Sequence, residues 1–239
     1  MILRNDNDRI GDFIGTIPAM IELSRQHGGL EVICHESMIG LLNLIPGKYS
    51  IKASGATLFD KSFDLMGAFA YAAQNNLHMI QANYHTLGLP VPHEVVRPEL
   101  EVRNIAHGSF DFILAPFSRS LPEEQLWQLE KWQQLVNSLP DYNFCLLGDP
   151  RHDDPTFIKG SNVFPCFGHK LEYVGSLLKS SEKGLISVVT GISHLAYALN
   201  VKNYLFFNQG LWGVNVEAHC FTKYIPDITV DEVINKLGV

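Results

Sequence analysis

No stretch of this 239-residue chain runs to the ~18 consecutive apolar residues that a membrane-spanning helix needs. Its first residues, Met1-Ile-Leu-Arg4-Asn-Asp-Asn-Asp8, lack the apolar core of a secretory leader. Cysteine is sparse. Cys34, Cys145, Cys166 and Cys220 are widely separated and never form a Cys-x-x-Cys pair, so metal-ligand spacing is absent and reduced, mostly core thiols are expected. Positive charge is also short: 18 Lys and Arg against 25 Asp and Glu give a net charge of −7. A nucleic-acid partner wants a basic face, so that class is not expected. These absences together lead us to expect a cytoplasmic chain with reduced thiols, no metal and no nucleic-acid partner.

What is present suits a globular protein. Apolar residues make up 46% and charged residues 18%, enough to bury a full core in one large domain or two small ones. Short apolar runs alternate with helical periodicity from the start. Met1–Arg4, Leu30–Cys34 and Tyr49–Lys52 read as strands, and Phe13–Gln26, Ser37–Leu44 and Ala68–Leu87 as helices. Pro18 requires a first-turn or kinked position in its helix. Pro90, Pro92 and Pro98 then interrupt any helical period, so a linker is expected over 93–109, between a domain at 1–92 and another at 110–239. In the second half, Phe110–Ala115, Tyr142–Leu147, Leu185–Val189 and Asn203–Phe207 read as strands. Glu123–Leu139, Lys170–Ser180, His194–Leu199 and Asp231–Leu237 read as helices. Such alternation predicts an α/β fold with mostly parallel sheets, whose ligands bind beyond the carboxyl ends of the strands.

Four loops lie at those ends. In the first, Asp12 begins a helix, as a capping residue or as a catalytic carboxylate. In the second, Ser118, Arg119 and Ser120 offer hydroxyls and one guanidinium, suited to a phosphate or carboxylate, or form a solvated loop. The third is Thr190-Gly191, where a buried strand turns sharply into a helix. Such a turn leaves backbone N–H groups at the positive end of the helix dipole, a natural anion site, or it is an ordinary βα connection with His194 packed nearby. The fourth, Asn208-Gln-Gly210-Leu-Trp212-Gly213, covers a ring or packs.

Three blocks carry a family resemblance. Ile10-Gly-Asp-Phe-Ile-Gly-Thr-Ile-Pro-Ala-Met is similar to a Gly-Asp pattern followed by Thr-x-Pro-Ala-Leu. Phe112-Ile-Leu-Ala-Pro-Phe-Ser-Arg-Ser-Leu-Pro-Glu-Glu is similar to the strand and Ser/Thr-basic loop that open a second domain. Ser187-Val-Val-Thr-Gly-Ile-Ser-His-Leu-Ala-Tyr-Ala-Leu is similar to an Asp-Thr-Gly-x-x-His-Leu motif. In this order they resemble the heptosyltransferases of lipopolysaccharide synthesis, glycosyltransferase family 9. The resemblance implies a GT-B-like fold: two Rossmann-like βα domains facing each other across a cleft, the N-terminal one trimmed between residues 50 and 90. It implies inverting, metal-independent transfer of a sugar from a nucleotide-diphosphate donor, an ADP-linked one among the candidates, to a glycan or lipid-linked acceptor. Lipid-linked acceptors bring a peripheral membrane contact into view. Asp12 would be the general base. Gly11, Ser118, Arg119, Thr190, Gly191, Ile192 and His194 would hold the donor. Two departures stand out. Val189 occupies the place of the family's Asp, and the loop after Ser118 lacks the following Lys, leaving Arg119 as its only nearby cation. An inactive relative that binds a nucleotide or a partner protein through the same cleft is therefore the alternative.

Overall fold

Strands and helices alternate throughout the computed structural model, which describes residues 1–103, 105–106, 108–119, 121–206, 221 and 225–239. The chain divides into two compact units, Met1–Val102 and Arg103–Val239.

The N-terminal unit contains β1 (Ile2–Asn5), α1 (Ile10–His27), β2 (Leu30–Cys34), α2 (Ile39–Leu42), β3 (Ile51–Ala53), β4 (Lys61–Ser62), α3 (Leu65–Asn75) and α4 (Met79–Thr86). Its strands pair in parallel in the order β3-β2-β1-β4. Parallel sheets need cover, and α1 supplies it by burying Phe13, Ile14, Ile17, Met20 and Leu23. Each such side chain contributes ~1.5–3 kcal/mol relative to exposure. Gly28, at φ 68°, ends α1 in the left-handed conformation that glycine adopts without strain. Pro18 lies well inside α1 rather than in its first turn, so the Ile14 carbonyl loses its usual helical donor. The single helix expected over Ala68–Leu87 is two. Asn76, at φ 51°, closes α3, and His78 starts α4 by exchanging hydrogen bonds with Gln81.

The C-terminal unit contains β5 (Phe112–Ala115), α5 (Leu129–Ser138), β6 (Phe144–Gly148), β7 (Val163–Phe167), α6 (Leu171–Ser180), β8 (Gly184–Val188), α7 (Gly191–Ala198), β9 (Asn203–Phe206) and α8 (Val230–Leu237). All strands are parallel, in the order β7-β6-β5-β8-β9. The expected continuous helix over Glu123–Leu139 is broken. Glu123–Gln125 form one 3-10 turn, Leu126 and Gln128 are extended, and α5 starts at Leu129. The reason is aromatic. Side chains five apart on one helix diverge by roughly 140°, yet Trp127 and Trp132 meet edge to face at 4.9 Å and both reach Phe206. The break lets both enter the core, where the Trp127 indole donates to the Ile228 carbonyl at 2.8 Å.

Residues 93–109 are anchored within the two units. Gln81 donates to the Pro92 and His93 carbonyls at 2.9 and 3.2 Å, Leu100 is buried, and the Glu101 N–H reaches the Leu44 carbonyl at 2.8 Å. Further on, the Ile105 and Ala106 N–H groups share Ser176 Oγ, each at 2.9 Å. No helix among the described residues is long and apolar enough to cross a membrane.

Candidate functional site

In each sheet the strand order changes direction once, between β1 and β4 in the N-terminal unit and between β5 and β8 in the C-terminal unit. Loops leaving the carboxyl ends of such neighbours diverge, and ligands of doubly wound sheets bind there.

At the first of these points, α1 begins without a side-chain cap. Arg9 is its N-cap residue, so Asp12 is not the capping residue that its position first suggests; it lies inside the first turn. The first intrahelical bond runs from the Phe13 N–H to the Arg9 carbonyl, and the Gly11 amide has no acceptor among the described residues. The Asp12 side chain is half-buried. Burial pushes its carboxyl above the usual aspartate range; Arg9 works against this and Asp8 reinforces it. Two buried amides anchor the next turn of α1. Asn5, at the end of β1, donates to Thr16 Oγ1 at 3.0 Å, and Asn83 on α4 donates to the Gly15 carbonyl at 2.7 Å. The sequence reading passed over both, since nothing local marks an Asn whose partner is on another element. A depression of about 490 Å³, lined by residues such as Met1, His27, Glu31 and Lys52, opens at the other, amino-terminal edge of this sheet and contains none of these groups.

At the second point, Ser118 is half-buried and Arg119 exposed; Ser120 lies outside the described residues. Arg119 Nη2 contacts Asp149 Oδ2 at 2.5 Å. Asp149 also accepts from Arg151 Nε at 3.0 Å and Nη2 at 2.8 Å. The expectation that Arg119 is the only nearby cation is therefore corrected, because β6 pairs beside β5 and brings Arg151 to the same carboxylate. Arg151, chiefly, holds the Asp149 carboxyl far below the ordinary range. The break Gly148-Asp149-Pro150 directly after an apolar strand was the available signal.

Beyond β8, Thr190 is the N-cap residue of α7. Its own N–H is taken by Ser193 Oγ at 3.1 Å, which removes it from the expected set of free amides. Those of Gly191 and Ile192 have no acceptor among the described residues. His194 is half-buried, and its backbone N–H reaches the Thr190 carbonyl at 3.3 Å. Val189 is core, 7% exposed. The loop at 208–213 lies outside the described residues. Among the described residues no cluster of His, Cys, Asp and Glu has the arrangement of a metal site.

No family model and no curated protein matches the chain. Solved structures do. E. coli heptosyltransferase WaaC with ADP superposes with a TM-score of 0.72 at 15% identity, covering 99% of this chain and 98% of that one. The fold is that of the heptosyltransferases. A glycosyl transferase family 9 protein from Veillonella parvula gives 0.71 at 11% identity, over 99% and 95% of the two chains. The iron-containing dodecameric glycosyltransferase TibC from enterotoxigenic E. coli gives 0.70 at 16%, over 99% and 75%. The GT-B-like α/β architecture of two Rossmann-like units, expected from the sequence, is thus the heptosyltransferase architecture this chain adopts, and at these identities the likeness is one of fold.

Proposed function

We propose that the chain is a glycosyltransferase that moves a sugar from a nucleotide-diphosphate donor to a glycan or lipid-linked acceptor, with inversion and without a metal. Asp12 carries the reading. It is a half-buried carboxylate with raised basicity, in the first turn of the helix after β1. The fold around it is shared by heptosyltransferases solved with ADP and with ADP-2-deoxy-2-fluoro heptose. In this reaction Asp12 accepts the proton of the acceptor hydroxyl as that oxygen attacks the anomeric carbon. The bond from that carbon to the diphosphate oxygen breaks, and the departing charge is neutralised by Arg119, the Ser118 hydroxyl and the Gly191 and Ile192 amides. The Gly11 amide, at the uncapped start of α1, offers a further donor, and His194 supports the α7 turn. ADP is the first donor nucleotide to test.

One observation favours a second reading. Val189 is buried beside the donor turn where the family pattern has a carboxylate, which suits a relative that binds a nucleotide without turning it over. Thermal unfolding with ADP, GDP, UDP, CMP and TDP separates the outcomes. A nucleotide at 100 times its Kd adds about 2.7 kcal/mol of stability, and Arg119→Ala should shrink the shift. Asp12→Asn then decides between enzyme and binder: the enzyme loses turnover and keeps the shift, whereas the binder has no turnover to lose. Absence of any shift across the panel defeats both nucleotide readings.

A further inference from the structure

We propose that Arg119 and Arg151, bridged by Asp149, form a two-guanidinium clamp for a diphosphate, with Asp149 as its positioning residue. The clamp rests on the donor reading above and extends it to a residue that reading does not use. Strands β5 and β6 pair from Phe112↔Phe144 to Leu114↔Leu146, so the loops carrying Arg119 and Arg151 leave the sheet side by side. Arg151 grips Asp149 with a fork that uses both carboxylate oxygens, and Arg119 shares Oδ2. A bidentate pair sets the guanidinium plane as well as its distance. One carboxylate thus orients Arg151 and holds Arg119 beside it.

The turn behind them is equally fixed. The Asp149 N–H donates to Asp153 Oδ2 at 2.7 Å, and the Arg151 N–H donates to Asp149 Oδ1 at 3.0 Å. The His152 and Asp153 N–H groups close on the Asp149 carbonyl at 3.0 and 2.8 Å. The neighbouring carboxylates are occupied locally, Asp153 on that backbone and Asp154 on the Thr156 N–H and hydroxyl. The Arg side chains remain 64% and 77% exposed, so their other N–H donors face solvent. Exposed ion pairs add little to stability; one guanidinium fixed by a fork and a second held beside it on the same oxygen, both with spare donors, match the oxygens of two linked phosphates. A monophosphate engages one fork and gains less.

Calorimetry with inorganic pyrophosphate, and with ADP, GDP and UDP beside their monophosphates, tests this. Arg151→Ala and Arg119→Ala should each weaken pyrophosphate and diphosphate binding roughly tenfold or more. Monophosphate affinity and melting temperature should stay nearly unchanged. Arg151→Lys should recover little, because an ammonium has no fork, and a full recovery contradicts the bidentate geometry. Undiminished diphosphate binding in Arg151→Ala overturns the clamp and leaves the donor reading standing. Pyrophosphate binding that depends on Arg151, with no nucleotide bound, keeps the clamp and defeats the donor reading. Failure of the wild type to bind pyrophosphate or any diphosphate overturns both.

Discussion

Where β1 and β4 part, the N-terminal unit presents carboxylates: Asp6 and Asp8 in the loop, Asp12 in the first turn of α1, and Asp64 capping α3. Where β5 and β8 part, the C-terminal unit presents N–H donors, namely Arg119 and the Gly191 and Ile192 amides, with Arg151 one strand further out. The topology at the two points is the same, but carboxylates outnumber the cation Arg9 in the first loop, whereas two arginines share Asp149 at the second. Both helices start with backbone amides lacking an acceptor, but α1 has its own acid in the first turn and α7 has none. A helix start with an internal carboxylate attracts an external anion weakly; one without it attracts an anion strongly. Under the transfer reaction proposed above, proton transfer falls to the first unit and anion binding to the second.

The largest effect should come from exchanging acid for amide at the first point. Asp12→Asn should lower kcat by about 10²–10⁴-fold, the usual weight of a general base, with nucleotide Kd unchanged. The wild-type pH profile should show an acid limb with its midpoint above the ordinary aspartate range, since burial raises the Asp12 carboxyl. Steady-state rates with a purified acceptor measure both. A loss of nucleotide affinity in the same variant breaks the division of labour, because the carboxylate would then belong to donor binding. Next in size is Arg119→Ala, which should weaken nucleoside diphosphate binding by about 10- to 100-fold. At saturating donor its kcat should fall by less than that of Asp12→Asn. Equal losses in the two variants blur the comparison.

The sequence and the structure agree best where local signals and tertiary demands coincide. The run Leu185–Val189 followed by Thr190-Gly191 reads as a buried strand turning into a helix, and β8 and α7 form there. They part where a tertiary contact overrides the local pattern. β7 gives no strand signal because Pro165 interrupts it and Phe164 is exposed; an edge strand tolerates both, since its outer side needs no donor. Glu123–Leu139 has helical spacing, but burying Trp127 beside Trp132 outweighs helical continuity. Arg151 is invisible beside Arg119 in sequence because only the β5–β6 pairing makes them neighbours. The positions of Asp12 and of the Thr190 turn follow from local rules; the partners that tune them do not.

A last and weaker effect is read from stability alone and needs no substrate. A carboxyl raised in the folded state is more costly to ionise there than in the unfolded chain, so Asp12 should destabilise the protein when charged. Asp12→Asn should therefore raise the melting temperature at neutral pH. That gain should be full above the folded-state pKa of Asp12 and should disappear as pH falls below its unfolded value, where the wild type is protonated in both states. Melting curves of the two proteins across that range test it, with Asp8→Asn as a second, smaller step in the same direction. Asp8 raises the Asp12 pKa through like charge, so its neutralisation should ease part of the same strain. A stabilised Asp12→Asn that has lost turnover identifies a carboxylate kept at a cost to the fold, as expected of a base. A destabilised one shows instead that Asp12 serves the helix start, and the contrast between the two units loses its chemical meaning.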